Sequence, residues 1–127
     1  MKWGPFTNTL GLAAALWLGL SGTVFGATKA SEETTNMLSR AFEIAKEVDN
    51  PYSKSAALDR LSEVYMRAGE YGGAIHVANR IEKPYTKTLA FDRISRELYK
   101  LNDKAKAQET AVQALQTAKE IPDPEWK

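Results

Sequence analysis

Asp59, Glu63 and Arg67 follow one another at four-residue spacing, and Asp92, Arg96 and Lys100 repeat that spacing with Tyr99 beside them. On a helix, residues four apart share a face, so each row is a strip of mixed charge with one opposite pair one turn apart, Glu63–Arg67 and Asp92–Arg96. Such a strip can grip a polypeptide partner through charged hydrogen bonds. It can equally be a solvated face whose intrahelical pairs contribute only about 0.2–0.5 kcal/mol each. Hydrolytic chemistry asks for something else: a nucleophile beside a base, or two carboxylates whose surroundings drive their pKa values apart. His76 is the only histidine, sits between apolar Ile75 and Val77, and has no neighbour at metal-ligand spacing. The chain has no cysteine, so neither thiolate ligands nor disulfides support it. The sequence leads us to expect no catalytic residues, no cofactor and no metal.

The elements that position these residues emerge from comparing the sequence with itself. A shift of 33 residues places Ala41 on Ala74 on Ala107, Ala45 on Ala78 on Ala111, and Val48 on Ile81. It also places Pro51-Tyr52-Ser53-Lys54 on Pro84-Tyr85-Thr86-Lys87, and Ala57-Leu58-Asp59-Arg60-Leu61 on Ala90-Phe91-Asp92-Arg93-Ile94. A fixed period of this length is the signature of stacked helical units, each unable to bury both its faces alone.

Apolar periodicity predicts five helices. The first spans 35–49, with Met37, Leu38, Ala41, Phe42, Ile44, Ala45 and Val48 on one broad apolar face. Asn50-Pro51 ends it, because a residue before proline leaves the helical region, and it opens the second helix with a cap and a first-turn proline. The second turns Ala57, Leu58, Leu61, Val64, Tyr65 and Ala68 inward and stops at Gly69. The third, over 71–82, buries Ala74, Ile75, Ala78 and Ile81; the fourth, from Pro84, buries Ala90, Phe91, Ile94, Leu98 and Leu101 up to the break at Asn102-Asp103. The fifth carries a seam of Ala107, Ala111, Ala114 and Ala118 and closes the array before Pro122 and Pro124. Tyr52 and Tyr85, each following an inter-helix proline, are expected to staple that turn onto the next hairpin. Trp126 lies in a proline-bounded tail, 122–127, that either covers the fifth helix or serves as a docking element.

With the helices placed, 57–78 resembles a tetratricopeptide (TPR) unit, with Leu58, Leu61, Tyr65, Gly69, Tyr71, Ala74 and Ala78 at family-type spacing. The next unit keeps Phe91, Ile94, Leu98, Ala107 and Ala111 but has Asn102 and Lys104 where the first has Gly69 and Tyr71. The resemblance covers roughly 35–119. Departures are the period, one residue short of the family's 34, and Ser62 and Ser95 where such units often have glycine. It implies an all-α, right-handed solenoid of about five antiparallel helices; a closed antiparallel bundle is the alternative. It further implies that Asp59, Glu63, Arg67, Asp92, Arg96, Tyr99 and Lys100 line a concave face that holds a protein or peptide partner. Being acidic, Asp59 and Glu63 do not match the basic clamp some TPR domains place on a C-terminal carboxylate; a partner segment with basic residues suits them better.

Ahead of the repeats, the first 26 residues carry one positive charge at Lys2, an apolar run from Leu10 to Leu20 and a small-residue end. That is the pattern of a secretory signal peptide, cut at the Gly26/Ala27 bond, with an apolar run shorter than the roughly 20 residues of a membrane span. The expectation is a periplasmic or secreted chain with no stable membrane span after cleavage, a flexible lead-in over 27–34, and a repeat domain over 35–121. The whole chain has a formal net charge of +1, and Lys2 is the only charge before Ala27, so the exported part is neutral. Neutrality gives no footing for nucleic acid. A protein-interaction scaffold is the leading expectation, with homo-oligomerisation through an exposed terminal face second.

Overall fold

The computed structural model describes residues 30–122; the signal-like segment with its cleavage bond and the Trp126 tail lie outside them. The described chain is all-helical: α1 Glu32–Lys46, α2 Pro51–Arg67, α3 Tyr71–Asn79, α4 Pro84–Lys100 and α5 Lys104–Ala118. Local chemistry sets the ends. The Ser31 hydroxyl accepts the Thr34 amide at 3.2 Å and starts α1 three residues earlier than periodicity suggests, with Glu32 and Glu33 favourably placed in the positive first turn. Asn50 accepts the Tyr52 and Ser53 amides at 3.0 Å each, with Pro51 in the first turn. At its other end α3 stops at Asn79 because the Arg80 and Ile81 amides turn to the carbonyls of Val77 and Ala78.

The two hairpin turns are built alike despite different residues. Gly69 (φ 79°) and Asn102 (φ 64°) both occupy the left-handed position after a helix. At each, the same pair of bonds closes the turn: Gly69 to Met66 and Glu70 to Tyr65 in the first, Asn102 to Tyr99 and Asp103 to Leu98 in the second. Asparagine tolerates this region best after glycine, which is why the substitution between units leaves the geometry intact.

Each helix packs mainly on its neighbours in sequence, and α2 also packs on α4. Ala74, Ala78 and Ala90 have no exposed surface, and Leu58, Phe91, Ile94 and Val77 are buried around them. The Phe42 and His76 rings meet edge to face with their centroids 5.3 Å apart, so the lone histidine joins α1 to α3. On α5 the buried face is Ala107, Thr110, Ala114 and Thr117; Ala111 and Ala118 are half-buried. Both threonines satisfy their hydroxyls on carbonyls one turn back.

Several expected core residues are displaced outward. The apolar face of α1 divides: Leu38, Phe42 and Ala45 are buried, while Met37 and Ile44 are 64 % and 71 % exposed. Among the described helices α1 has a neighbour on one side only, and its apolar face is wider than that contact. Val64 and Leu101 are also largely exposed. Tyr52 and Tyr85 are exposed; Tyr52 reaches from its own turn to the corresponding turn of the next unit, its ring centroid lying 3.9 Å from the Lys83 ammonium.

Gly73 is fixed by a close approach. A Cβ there would collide with the ring of buried Tyr65. The 33-residue shift turns this pair into Leu98 and Lys106, where no ring presses on the helix and a side chain is accommodated. Helix propensity alone favours alanine over glycine by about 1 kcal/mol. Even so, Gly73→Ala is expected to destabilise the fold by about 1–3 kcal/mol through overpacking, measured by denaturant unfolding. In a Tyr65→Leu background the same change becomes neutral or stabilising. Asn102→Gly relieves the left-handed residue and raises stability by up to about 1 kcal/mol in the same assay.

Candidate partner-binding surface

The two charged rows lie on α2 and α4, which pack against one another. Along α2, Arg67 meets Glu63 at 2.6 Å, with Arg60 3.8 Å from the same carboxylate. Along α4, Arg96 meets Asp92 at 2.7 Å and Lys100 meets Glu97 at 2.6 Å. Tyr99 is 65 % exposed beside them.

Asp59 differs from the others. Its carboxylate accepts from Arg93 at 3.1 Å, both side chains are largely shielded, and the pair ties α2 to α4 across 34 positions of sequence. Spacing rules within a helix cannot find such a bond, since its partner is set by how successive units stack. The nearest signal was the alignment of Asp59-Arg60 on Asp92-Arg93. A second tie follows the same seam: the buried Ser55 hydroxyl accepts the Lys83 amide at 3.3 Å, serving the start of α4, where no side chain of Lys83 caps the helix.

Among the depressions along these rows, three have apolar floors. One of about 420 Å³ lies between α1 and α2, floored by Ala45, Ala57 and Leu61 and rimmed by exposed Ile44 and Val64. Two more adjoin at Ala111 between α4 and α5. The larger, about 600 Å³, runs past Arg96, Tyr99, Lys104 and Ala107; the smaller, about 360 Å³, past Thr88, Leu89, Leu115 and Ala118. All are open and floored by apolar side chains, the character of a seat for another helix more than of an enclosed small-molecule pocket.

Burial, then the nearby Glu97 carboxylate, raise the pKa of Tyr71 above the ordinary tyrosine value. Because the folded chain holds that proton more tightly, this contribution to stability is complete below pH 10 and is lost as pH rises beyond it. Among the described residues, no group of three His, Cys, Asp or Glu side chains is arranged to hold a metal.

Removing one partner of the interhelical pair should cost more than removing one from an exposed row. Asp59→Asn is expected to lower stability by about 1 kcal/mol in denaturant unfolding, and Asp92→Asn by less than about 0.5 kcal/mol. Equal effects would show that the tie to Arg93 contributes nothing beyond a surface pair.

Compared with protein-family models, with curated proteins and with solved structures, the chain matches none.

Proposed function

We propose that this chain is a non-catalytic protein-interaction scaffold or adaptor of the cell envelope, a short solenoid of the TPR kind exported by its N-terminal segment. The observation that carries this reading is the repetition of one hairpin geometry at a period of 33 residues, down to matching turn hydrogen bonds at Gly69 and Asn102. Contacts between sequence neighbours, with α2 also against α4, support a solenoid over a closed bundle. The described helices include none long and apolar enough to cross a membrane.

On this reading the rows Glu63–Arg67 and Asp92–Arg96–Lys100, with Tyr99, form the concave face and hold a partner segment. Asp59 contributes its charge there while remaining tied to Arg93. Photo-crosslinking from Tyr99 in envelope preparations is expected to trap a partner. The triple change Glu63→Lys, Arg67→Glu and Lys100→Glu should reduce the yield at least ten-fold without altering the circular dichroism spectrum. Trapping that ignores these reversals, or no trapped protein at all, overturns the concave-face assignment.

A second reading is favoured by α1. Met37, Ala41, Ile44 and Val48 follow one another at spacings of four, three and four, the pattern of a helix-pairing seam, and Ile44 is among the most exposed apolar residues. A second copy pairing along this seam would cover it. Sedimentation at high concentration is expected to show a dimer that Ile44→Asp converts to monomer; a wild-type chain that sediments as a monomer throughout removes this reading.

A further inference from the structure

The groove between α2 and α3 is already occupied, and its occupant is α4. Two polar contacts seat it: the Lys83 amide on the Ser55 hydroxyl at 3.3 Å and the Arg93 guanidinium on the Asp59 carboxylate at 3.1 Å. Its apolar residues Ala90 and Ile94 are buried in the same core as Ala74 and Ala78 of α3. Near the far end, the Glu97 carboxylate acts on Tyr71.

A shift of 33 residues carries this seat onto the next hairpin. Ser55 and Asp59 become Thr88 and Asp92; Ala74 and Ala78 become Ala107 and Ala111; Tyr71 becomes Lys104. These are the residues that line the two adjoining depressions between α4 and α5. The floor is apolar, and Leu115 on its rim is 65 % exposed. The Thr88 hydroxyl is buried and has no hydrogen-bond partner among the described residues, whereas its counterpart on Ser55 accepts the Lys83 amide that immediately precedes α4. Helix α5 runs on through 113–116, the positions where the first unit breaks at 80–83 and turns into α4, so the described chain places no further helix in this groove.

We propose that the α4–α5 groove is a docking site for an amphipathic helix of a partner protein, seated in the register that α4 takes on α2 and α3. The proposal rests on the scaffold reading and shares the α4 row, Asp92 to Lys100, with the concave face; what separates the two is the other wall, α5 here and α2 there. The chemistry of the partner helix follows from the seat. The amide that immediately precedes it donates to the Thr88 oxygen. A guanidinium ten residues later reaches Asp92, as Arg93 reaches Asp59 from Lys83. Among the described residues Asp92 is held by Arg96 alone, in an exposed pair along its own helix, so it exchanges that bond for the incoming one at little cost. Small and branched apolar residues flanking the guanidinium cover Ala107 and Ala111, in the manner of Ala90 and Ile94. A carboxylate one turn further on, at the place of Glu97, meets Lys104 where the first unit offers the neutral Tyr71. An acid there suits the second seat better than the first.

The probe that carries this pattern is a labelled peptide with the sequence of residues 83–100, titrated against the full chain by fluorescence anisotropy. Saturable binding is expected. It should weaken at least ten-fold with Arg93→Glu in the peptide and recover when Asp92→Arg is introduced in the protein. Leu115→Glu should abolish it, whereas Glu63→Lys with Arg67→Glu on α2 should leave it unchanged. No saturable binding, or binding indifferent to Leu115→Glu, overturns the proposal. Loss through the α2 changes places the peptide on the concave face, so the proposal fails while the scaffold reading stands. If removal of residues 123–127 tightens binding ten-fold or more, the groove belongs to the chain's own tail and the proposal likewise falls.

Discussion

Ala74, Ala78 and Ala90 have no exposed surface and no side chain beyond Cβ, and the rest of the packing depends on the close approach they allow between α3 and the helices flanking it. With the backbones near one another, Leu58, Phe91 and Ile94 are buried around α3, and the polar ties from Ser55 to Lys83 and from Asp59 to Arg93 come within bonding distance. The Tyr65–Gly73 contact is the same principle taken further: a ring laid directly on a helix backbone demands the one residue without a Cβ. In the second unit the smaller Leu98 removes the demand and Lys106 takes the glycine's place, so the two positions vary together as packing requires.

Much of this was legible before any coordinates. The prolines, Asn50, Gly69 and the alanine period located all five helices, because caps, breakers and small-residue spacing are written locally. Misplaced helix ends arose from weaker signals. No apolar residue follows Ser31 within the first turn to mark the start of α1, and Ile81 continues the apolar pattern of α3 after the hydrogen bonding has changed to a tighter turn. The burial errors share one cause. Periodicity says which face of a helix is apolar, whereas the number of neighbours decides how much of that face is covered; α1 has too few for Met37 and Ile44.

The candidate surface was legible in part. Rows four residues apart were readable as rows, and their intrahelical pairs are there. What the spacing could not convey is that Asp59 belongs to a different class from Asp92, although the two align. One is spent on holding a unit to its successor, and the other stands at the end of the series, where no successor follows within the described chain. The aligned acids differ on both counts: one turn on, Asp59 has Glu63 and Asp92 has Arg96, and the next unit offers Arg93 to Asp59 alone among the described residues.

The neighbour-by-neighbour packing also sets the order in which the molecule opens and closes. Most contacts join segments close in sequence, so little loop entropy is surrendered before each helix finds its partner, and the tie between Asp59 and Arg93 closes a loop of only 34 positions. The broad contact between α4 and α5 makes that hairpin the natural first unit to condense. Helix α1, which buries Leu38, Phe42 and Ala45 chiefly against α2, has the smallest interface of the described helices, so its amides are expected to exchange with solvent first while the remaining helices stay folded.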